Sequence, residues 1–291
     1  MVRPSDSAAP PAPLVAEDAL RLPGLDAPLA LRWTLPAGEP IALVLHLHAG
    51  AFTAGSPAEG ERMAGLLAAE GARVASLAYP LSPAMPFPQP VEAVHAALDW
   101  LHRQRRKLKA ERLPLLVAGE EAGGNLAAAA ALAARDRCTP PLHGQVLLSP
   151  MLDACTATAS LRDARAGEPG CCWAEGWRRY LARACDALHP YATPGRAMRL
   201  AGLAPALLVT AEDDPLRDET RAYGQRLRQA GVAVDEVVLS APTGWPQSHR
   251  APGEAPWSAE LGPPLRAFLQ ARRAAAGGLA GCRPRPAPRP G

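Results

Sequence analysis

Of the 291 residues, 48 % are hydrophobic and 20 % charged, the balance of a globular protein with material for one large core or two small ones. The formal charge of +3 is unevenly placed: Arg272, Arg273, Arg283, Arg285 and Arg289 crowd the C-terminal end and leave the remainder mildly acidic, which argues against a nucleic-acid partner. No apolar run reaches the ~18 residues of a membrane span, and residues 1–15 lack the apolar centre of a secretory signal, so the expected location is the cytoplasm.

Residues 1–14, rich in Pro and Ser, read as a disordered lead, and a single domain is expected over 15–273. Leu29, Leu31, Trp33 and Leu35 alternate as in a half-buried strand, and the apolar run Ile41 to Leu47 suits a strand buried on both faces. Ser56-Pro57 reads as an N-cap with proline in the first turn of a helix running to Glu70, and Ala72 to Tyr79 is the next strand. Helical spacing follows over Val91 to Arg105, then strand at Leu113 to Ala118, helix at Gly124 to Arg135 and strand at Gly144 to Leu148. An irregular insertion, its cap portion expected at about 153–200, precedes a strand at Pro205 to Ala211, a helix at Leu216 to Ala230, a strand at Ala233 to Leu239 and a helix at Ser258 to Arg272. Residues 274–291 read as a disordered, basic, proline-rich tail with no apolar face. Strands and helices alternating in this way give an α/β class, a mostly parallel sheet with helices on both faces and its site beyond the carboxyl ends of the strands.

The six cysteines show no C-x-x-C pair and no histidine at finger spacing, and neither a G-x-G-x-x-G nor a P-loop pattern occurs, so no metal and no cofactor is expected. The chemistry centres instead on Leu115 to Ala127: an apolar strand, a glycine-bounded turn Gly119-Glu120-Glu121-Ala122-Gly123, then an alanine-rich helix. That is the layout of a nucleophile elbow, Gly-x-Ser-x-Gly, with Glu121 in the serine slot.

Three further motifs accompany it: His48-Ala49-Gly50-Ala51-Phe52, Tyr79-Pro80-Leu81-Ser82-Pro83 with Pro86-Phe87-Pro88, and Asp214-Pro215-Leu216-Arg217-Asp218-Glu219. Together, from about Ala16 to Arg272, the chain resembles the hormone-sensitive-lipase-like carboxylesterases and lipases of the α/β-hydrolase fold. The resemblance implies oxyanion donors at the backbone N–H groups of Gly50, Ala51 and Ala122, and a catalytic acid at Asp214, where a helix N-cap is the competing role. Alanine at position 51, where the family has glycine, requires a backbone outside positive φ. The family's histidine slot, just before Gly244-Trp245, holds Thr243, which leaves His249 as the nearby candidate, ten residues past the last strand. His48, Phe52, Trp173 and Trp177 are the expected pocket residues, with packing of the cap onto the body as the competing role for the two tryptophans, and the resemblance implies a homodimer through the last strand.

A carboxylate at the elbow tip faces backbone N–H groups and a helix N-terminus, both of which favour an anion. Glu121 is therefore expected to fill the oxyanion hole and block acyl transfer, making the chain a pseudoenzyme that binds a small apolar ester-like or carbonyl ligand. Two alternatives stay open. One is a non-standard hydrolase using Glu121 as nucleophile or general base with Asp214 and His249; the other is a weak carboxylic ester hydrolase. Glu120 is expected to turn away into supporting hydrogen bonds.

Overall fold

The computed structural model describes residues 14–22, 27–155, 157–163, 167–251 and 255–279. Eight strands form one sheet: β1 (Leu14–Leu20), β2 (Leu29–Leu35), β3 (Ala42–Leu47), β4 (Ala72–Leu77), β5 (Leu115–Glu120), β6 (Gly144–Leu148), β7 (Ala206–Ala211) and β8 (Val234–Leu239). Their order is β1-β2-β4-β3-β5-β6-β7-β8, antiparallel at β1/β2 and β2/β4 and parallel from there to β8.

Seven α-helices accompany it among the described residues: α1 (Glu61–Ala69), α2 (Gln89–Gln104), α3 (Ala122–Asp136), α4 (Ala159–Arg162), α5 (Gly167–Tyr180), α6 (Arg217–Gln229) and α7 (Trp257–Leu279). Side chains alternate faces along a strand, so β3 sends Leu43, Leu45 and Leu47 to the α2–α3–α6 side and Ala42 and Val44 to the α1–α7 side. β5 divides likewise, with Leu115 and Val117 on the first face and Leu116 and Ala118 on the second. That parity places His46 and Glu120 on the α1–α7 side. Every residue of α3 from Ala122 to Ala134 is buried, and its many alanines let the helix pack closely against the sheet.

Three boundaries differ from the sequence reading. Strand β1 has no apolar alternation to announce it; its side chains from Val15 to Ala19 are exposed, and pairing with β2 makes it a strand. Residues 57–60 form turns and α1 begins at Glu61 with Gly60 as its cap, so Ser56 does not start that helix, although its carbonyl accepts from the Glu59 and Gly60 N–H groups at 3.1 and 3.2 Å. Helix α7 continues through Leu279, beyond the boundary expected at 273. The expected disordered lead and the end of the basic tail, residues 1–13 and 280–291, lie outside the described residues.

Between β6 and β7 the insertion carries α4, α5 and two 3-10 turns, Ala184–Leu188 and Pro194–Arg196. Trp173, Trp177 and Tyr180 fall on one face of α5 at helical spacing and are all buried. Phe52 stacks on Tyr180 with ring centroids 4.0 Å apart and meets Trp177 at 5.0 Å, while Phe87 lies edge-on to Tyr180 at 5.9 Å. These contacts seat the cap on the loop after β3.

Candidate functional site

The carboxyl ends of β3, β5 and β6 lie level, with Leu47 opposite Gly119 and Glu120 opposite Leu148. The turn from β5 into α3 puts Glu121 at φ 55°, ψ −115°, a conformation that ordinary residues rarely adopt. Two glycines make it feasible. A Cβ on Gly119 would lie 2.1 Å from the Gly123 carbonyl oxygen, and one on Gly123 would lie 2.1 Å from the Leu47 carbonyl oxygen. The Glu121 backbone is also pinned: its N–H donates to Leu148 O at 3.0 Å, and its carbonyl accepts from Met151 N at 3.0 Å and Asn125 N at 3.1 Å.

The side chain then has one direction to go. Glu121 Oε2 accepts from the Gly50 N–H at 2.8 Å, and Oε1 accepts from Trp173 Nε1 on the cap helix. Glu121 is 5 % exposed, and no basic side chain of the described residues comes within ion-pair distance of it. Ala51 lies on the cavity wall and Ala122 at the start of α3; neither N–H makes a hydrogen bond to the carboxylate. Ala51 sits at φ 48° and Phe52 at φ 65°, so alanine occupies a left-handed position that was expected to exclude it. Gly176 of the cap permits this arrangement, since a Cβ there would lie 2.3 Å from the Ala51 carbonyl oxygen.

Beside Glu121 opens a cavity of about 640 Å³ whose lining includes the buried Gly50, Ala51, Glu121 and Trp173, which make its floor, and the exposed Cys171, Arg179, Gln247 and Arg250. Of the four pocket residues read from the sequence, Trp173 lines this space. His48, Phe52 and Trp177 do not; Trp177, on the cap, packs against Phe52, which is 1 % exposed, and His48 is buried against Tyr79. His48 stacks on Tyr79 at 4.3 Å and meets the Ala49 carbonyl at 2.7 Å through Nδ1; burial pulls its pKa down to about 4. Nothing in the sequence singled out Arg179 or Arg250. They lie on the cap helix and on the loop after β8, which approach one another only in the folded chain.

Glu120 turns away, as read from the sequence, onto the α1–α7 side. His46 Nε2 meets Glu120 Oε1 at 2.8 Å while His46 Nδ1 meets Ser76 Oγ at 2.9 Å. Burial raises the Glu120 carboxyl above its ordinary range, against the pull of the His46 hydrogen bond. The loop after β8 folds back far enough to bury His249 at 1 % exposure, in place of a solvent-facing histidine. Its ring lies tilted against Trp245 at 4.7 Å and edge-on to Trp257 at 6.0 Å. Its Nδ1 stands 3.7 Å from Glu120 Oε2, and neither ring nitrogen has a hydrogen-bond partner among the described residues. Burial holds its pKa down at about 3. His249 thus reaches the interior behind the elbow, facing Glu120; it makes no ion pair with Asp214 or Glu121.

Asp214 is fully engaged elsewhere. Ser149 Oγ donates to Oδ1 at 2.7 Å, Thr210 Oγ1 to Oδ2 at 2.6 Å, and the Leu216 N–H to Oδ1 at 2.9 Å, the last a cap-like contact at the entry to α6. Burial still lifts its pKa to about 6. Thr243, expected from the resemblance to stand in the histidine slot, donates through both N–H and Oγ1 to Asp213, at 2.8 Å each. Asp213 is a residue the sequence reading passed over; the doubled acid Asp213-Asp214 was the signal for it.

The sheet, the elbow and the inserted cap together define an α/β hydrolase, and residues 44–241 match the model of the alpha/beta hydrolase fold family, to which this chain belongs. Among its relatives are the esterase LipI of Mycobacterium tuberculosis, 35 % identical over 214 residues, and the acetyl-hydrolase of Streptomyces hygroscopicus, 36 % identical over 206. Each match covers 69 % of this chain, and 64 % and 67 % of those proteins respectively, so the chain is matched to about two thirds of their length. A bacterial heroin esterase superposes with TM-score 0.79 at 28 % identity, covering 92 % of this chain and 86 % of its own. The thermostable carboxylesterase EstE1, cloned from a metagenomic library, gives TM-score 0.79 at 28 % identity, covering 92 % and 91 %. No helix of the described residues is long and apolar enough to cross a membrane.

Proposed function

We propose that this chain is a hormone-sensitive-lipase-like hydrolase that has left serine ester chemistry and keeps its pocket as a binding site for a small, mainly apolar ligand. The observation that carries the reading is the 2.8 Å hydrogen bond from the Gly50 N–H to the Glu121 carboxylate. In acyl transfer that donor would hold the oxyanion of the tetrahedral intermediate, so a tethered carboxylate competes with the transition state for it. The partners a nucleophile requires are also otherwise engaged. Thr243 is bound to Asp213, Asp214 is taken by Ser149, Thr210 and the Leu216 N–H, and His249 faces Glu120. A reaction through Glu121 as nucleophile would need a base to hydrolyse its ester intermediate, and no histidine of the described residues stands within ion-pair distance of it. The exposed thiols of Cys138, Cys155, Cys171, Cys172 and Cys185 fit a reducing cytoplasm.

The test is turnover of short p-nitrophenyl esters together with labelling by a fluorophosphonate. The wild type is expected to show neither, and Glu121→Ser alone is expected to gain little, because it supplies a nucleophile without a histidine. Glu121→Ser with Thr243→His is the variant expected to recover activity. Robust wild-type turnover that Glu121→Gln abolishes would overturn the proposal.

A further inference from the structure

We infer that the cavity takes its ligand by a primary ammonium head seated on Glu121, so that replacing the nucleophile has reversed what the pocket floor recognises. The inference rests on the proposed reading that Glu121 fills the oxyanion hole, and deepens it by fixing the ligand's head group. A hydrolase floor of this kind presents N–H donors and therefore receives a carbonyl oxygen. Here the Gly50 N–H and the Trp173 indole N–H both end on Glu121, at 2.8 Å for the first, and what the cavity meets is the carboxylate itself. A carbonyl oxygen placed there would lie beside two acceptor oxygens, whereas a donor head would complete them.

Charge argues in the same direction. Glu121 is nearly buried and no cation of the described residues lies within ion-pair distance, so the carboxylate on the floor is held only by neutral donors. The two arginines of the cavity are each turned to a carboxylate other than Glu121: Arg179 Nε lies 2.6 Å from Glu175, which it shares with Arg178, and Arg250 Nη1 lies 3.6 Å from Glu59. An arriving ammonium would pair with the one carboxylate on the floor that lacks a counter-ion, through charge-assisted hydrogen bonds. The Trp173 ring in the wall suits a cation as well as an apolar tail. Each carboxylate oxygen has capacity for a second hydrogen bond after serving its protein donor.

The experiment titrates the full-length protein with benzylamine, benzyl alcohol and methyl benzoate by calorimetry, three probes that share a phenyl ring and differ in the head group. Benzylamine is expected to bind most tightly and benzyl alcohol more weakly. Methyl benzoate should bind about tenfold or more below the amine, the scale of one charged hydrogen bond. Glu121→Ala keeps the cavity and frees the Gly50 and Trp173 donors, so in that variant the order should reverse in favour of methyl benzoate. Wild-type protein binding methyl benzoate as tightly as benzylamine would overturn the inference, as would an amine affinity unchanged by Glu121→Ala. Absence of binding by all three probes would also overturn it while leaving the loss of esterase activity standing. Hydrolysis of methyl benzoate by the wild type would remove the underlying reading along with it.

Discussion

Replacing Glu121 by glutamine changes one oxygen to an NH2 group and almost nothing of shape, which makes it a sensitive probe of the elbow. Both partners of the carboxylate, the Gly50 N–H and the Trp173 Nε1–H, can only donate. Glutamate offers them two acceptors; glutamine offers one, and its NH2 must then face the remaining donor whichever way the amide is turned. One bond loses its charge assistance and one buried donor is left without a partner, each worth roughly 1–3 kcal/mol. Because the neighbours relax, the sum should come to about 2–4 kcal/mol, a fall in Tm of roughly 5–15 °C for a domain of this size. Differential scanning calorimetry with a urea titration would read both. Trp173→Phe supplies the control: with no indole donor the amide NH2 has nothing to repel it. The double variant should therefore be less damaged than the two single variants added together, with a coupling of about 1–3 kcal/mol. Glu121→Gln as stable as the wild type, or strictly additive with Trp173→Phe, would refute the bridged carboxylate.

Gly123→Ala would drive a methyl group to 2.1 Å from the Leu47 carbonyl oxygen, backbone against backbone, and should cost about 3 kcal/mol or more; a chemical-denaturation midpoint matching the wild type would disprove that close approach. His48 and His249 have folded pKa values of about 4 and about 3, below their ordinary 6.5, so the unfolded chain takes up their protons first. Their contribution is therefore intact above pH 6.5 and is lost as pH falls from there towards 3–4, by about 1.4 kcal/mol per pH unit for each histidine. His249→Phe keeps the packing against Trp245 and Trp257 and should shrink the stability difference between pH 7 and pH 5 by about 2 kcal/mol; an unchanged difference would mean the ring is hydrated. Asp214 works with the opposite sign, because its folded pKa of about 6 exceeds the ordinary 3.8: its contribution is intact below pH 3.8 and is lost as pH rises through 6. Asp214→Asn retains an acceptor for the Leu216 N–H and a donor for a hydroxyl, so it should flatten that part of the stability profile, and a steeper decline with rising pH in the variant would count against the assignment.

The parallel core of the sheet was legible because each strand buried on both faces is a continuous apolar run, as in β3, β5 and β7. Strand β1 was not, since an exposed edge strand has no apolar face to encode and takes its conformation from the neighbour it pairs with. The elbow could be located from its glycines, because the backbone approaches at Gly119 and Gly123 leave no room for a side chain. The fate of the triad could not be read in the same way. Asp214 and Asp213 are adjacent in sequence and chemically alike, and only the loop's path decides that Thr243 meets Asp213 while Ser149 takes Asp214. His249 illustrates the same limit: its depth depends on two tryptophans, Trp245 and Trp257, closing over a loop with no regular pattern.

The strain at the turn from β5 into α3 bears on how the Glu121 side chain is aimed. A non-glycine residue at φ 55°, ψ −115° costs on the order of 1–3 kcal/mol and persists only where its surroundings over-determine it. Those surroundings are backbone throughout: Leu148 O on its N–H, Met151 N and Asn125 N on its carbonyl, and glycines packed against Leu47 and Gly123 oxygens. None of them touches the Glu121 side chain. The conformation that aims the residue is therefore set independently of which reagent it carries, and a serine and a glutamate would be aimed alike. What differs is reach. Glutamate extends two carbons further than serine, enough for its oxygens to arrive at the Gly50 N–H and at Trp173 on the cap. The same geometry that would present a nucleophile thus ties the loop after β3 to the cap helix through one side chain.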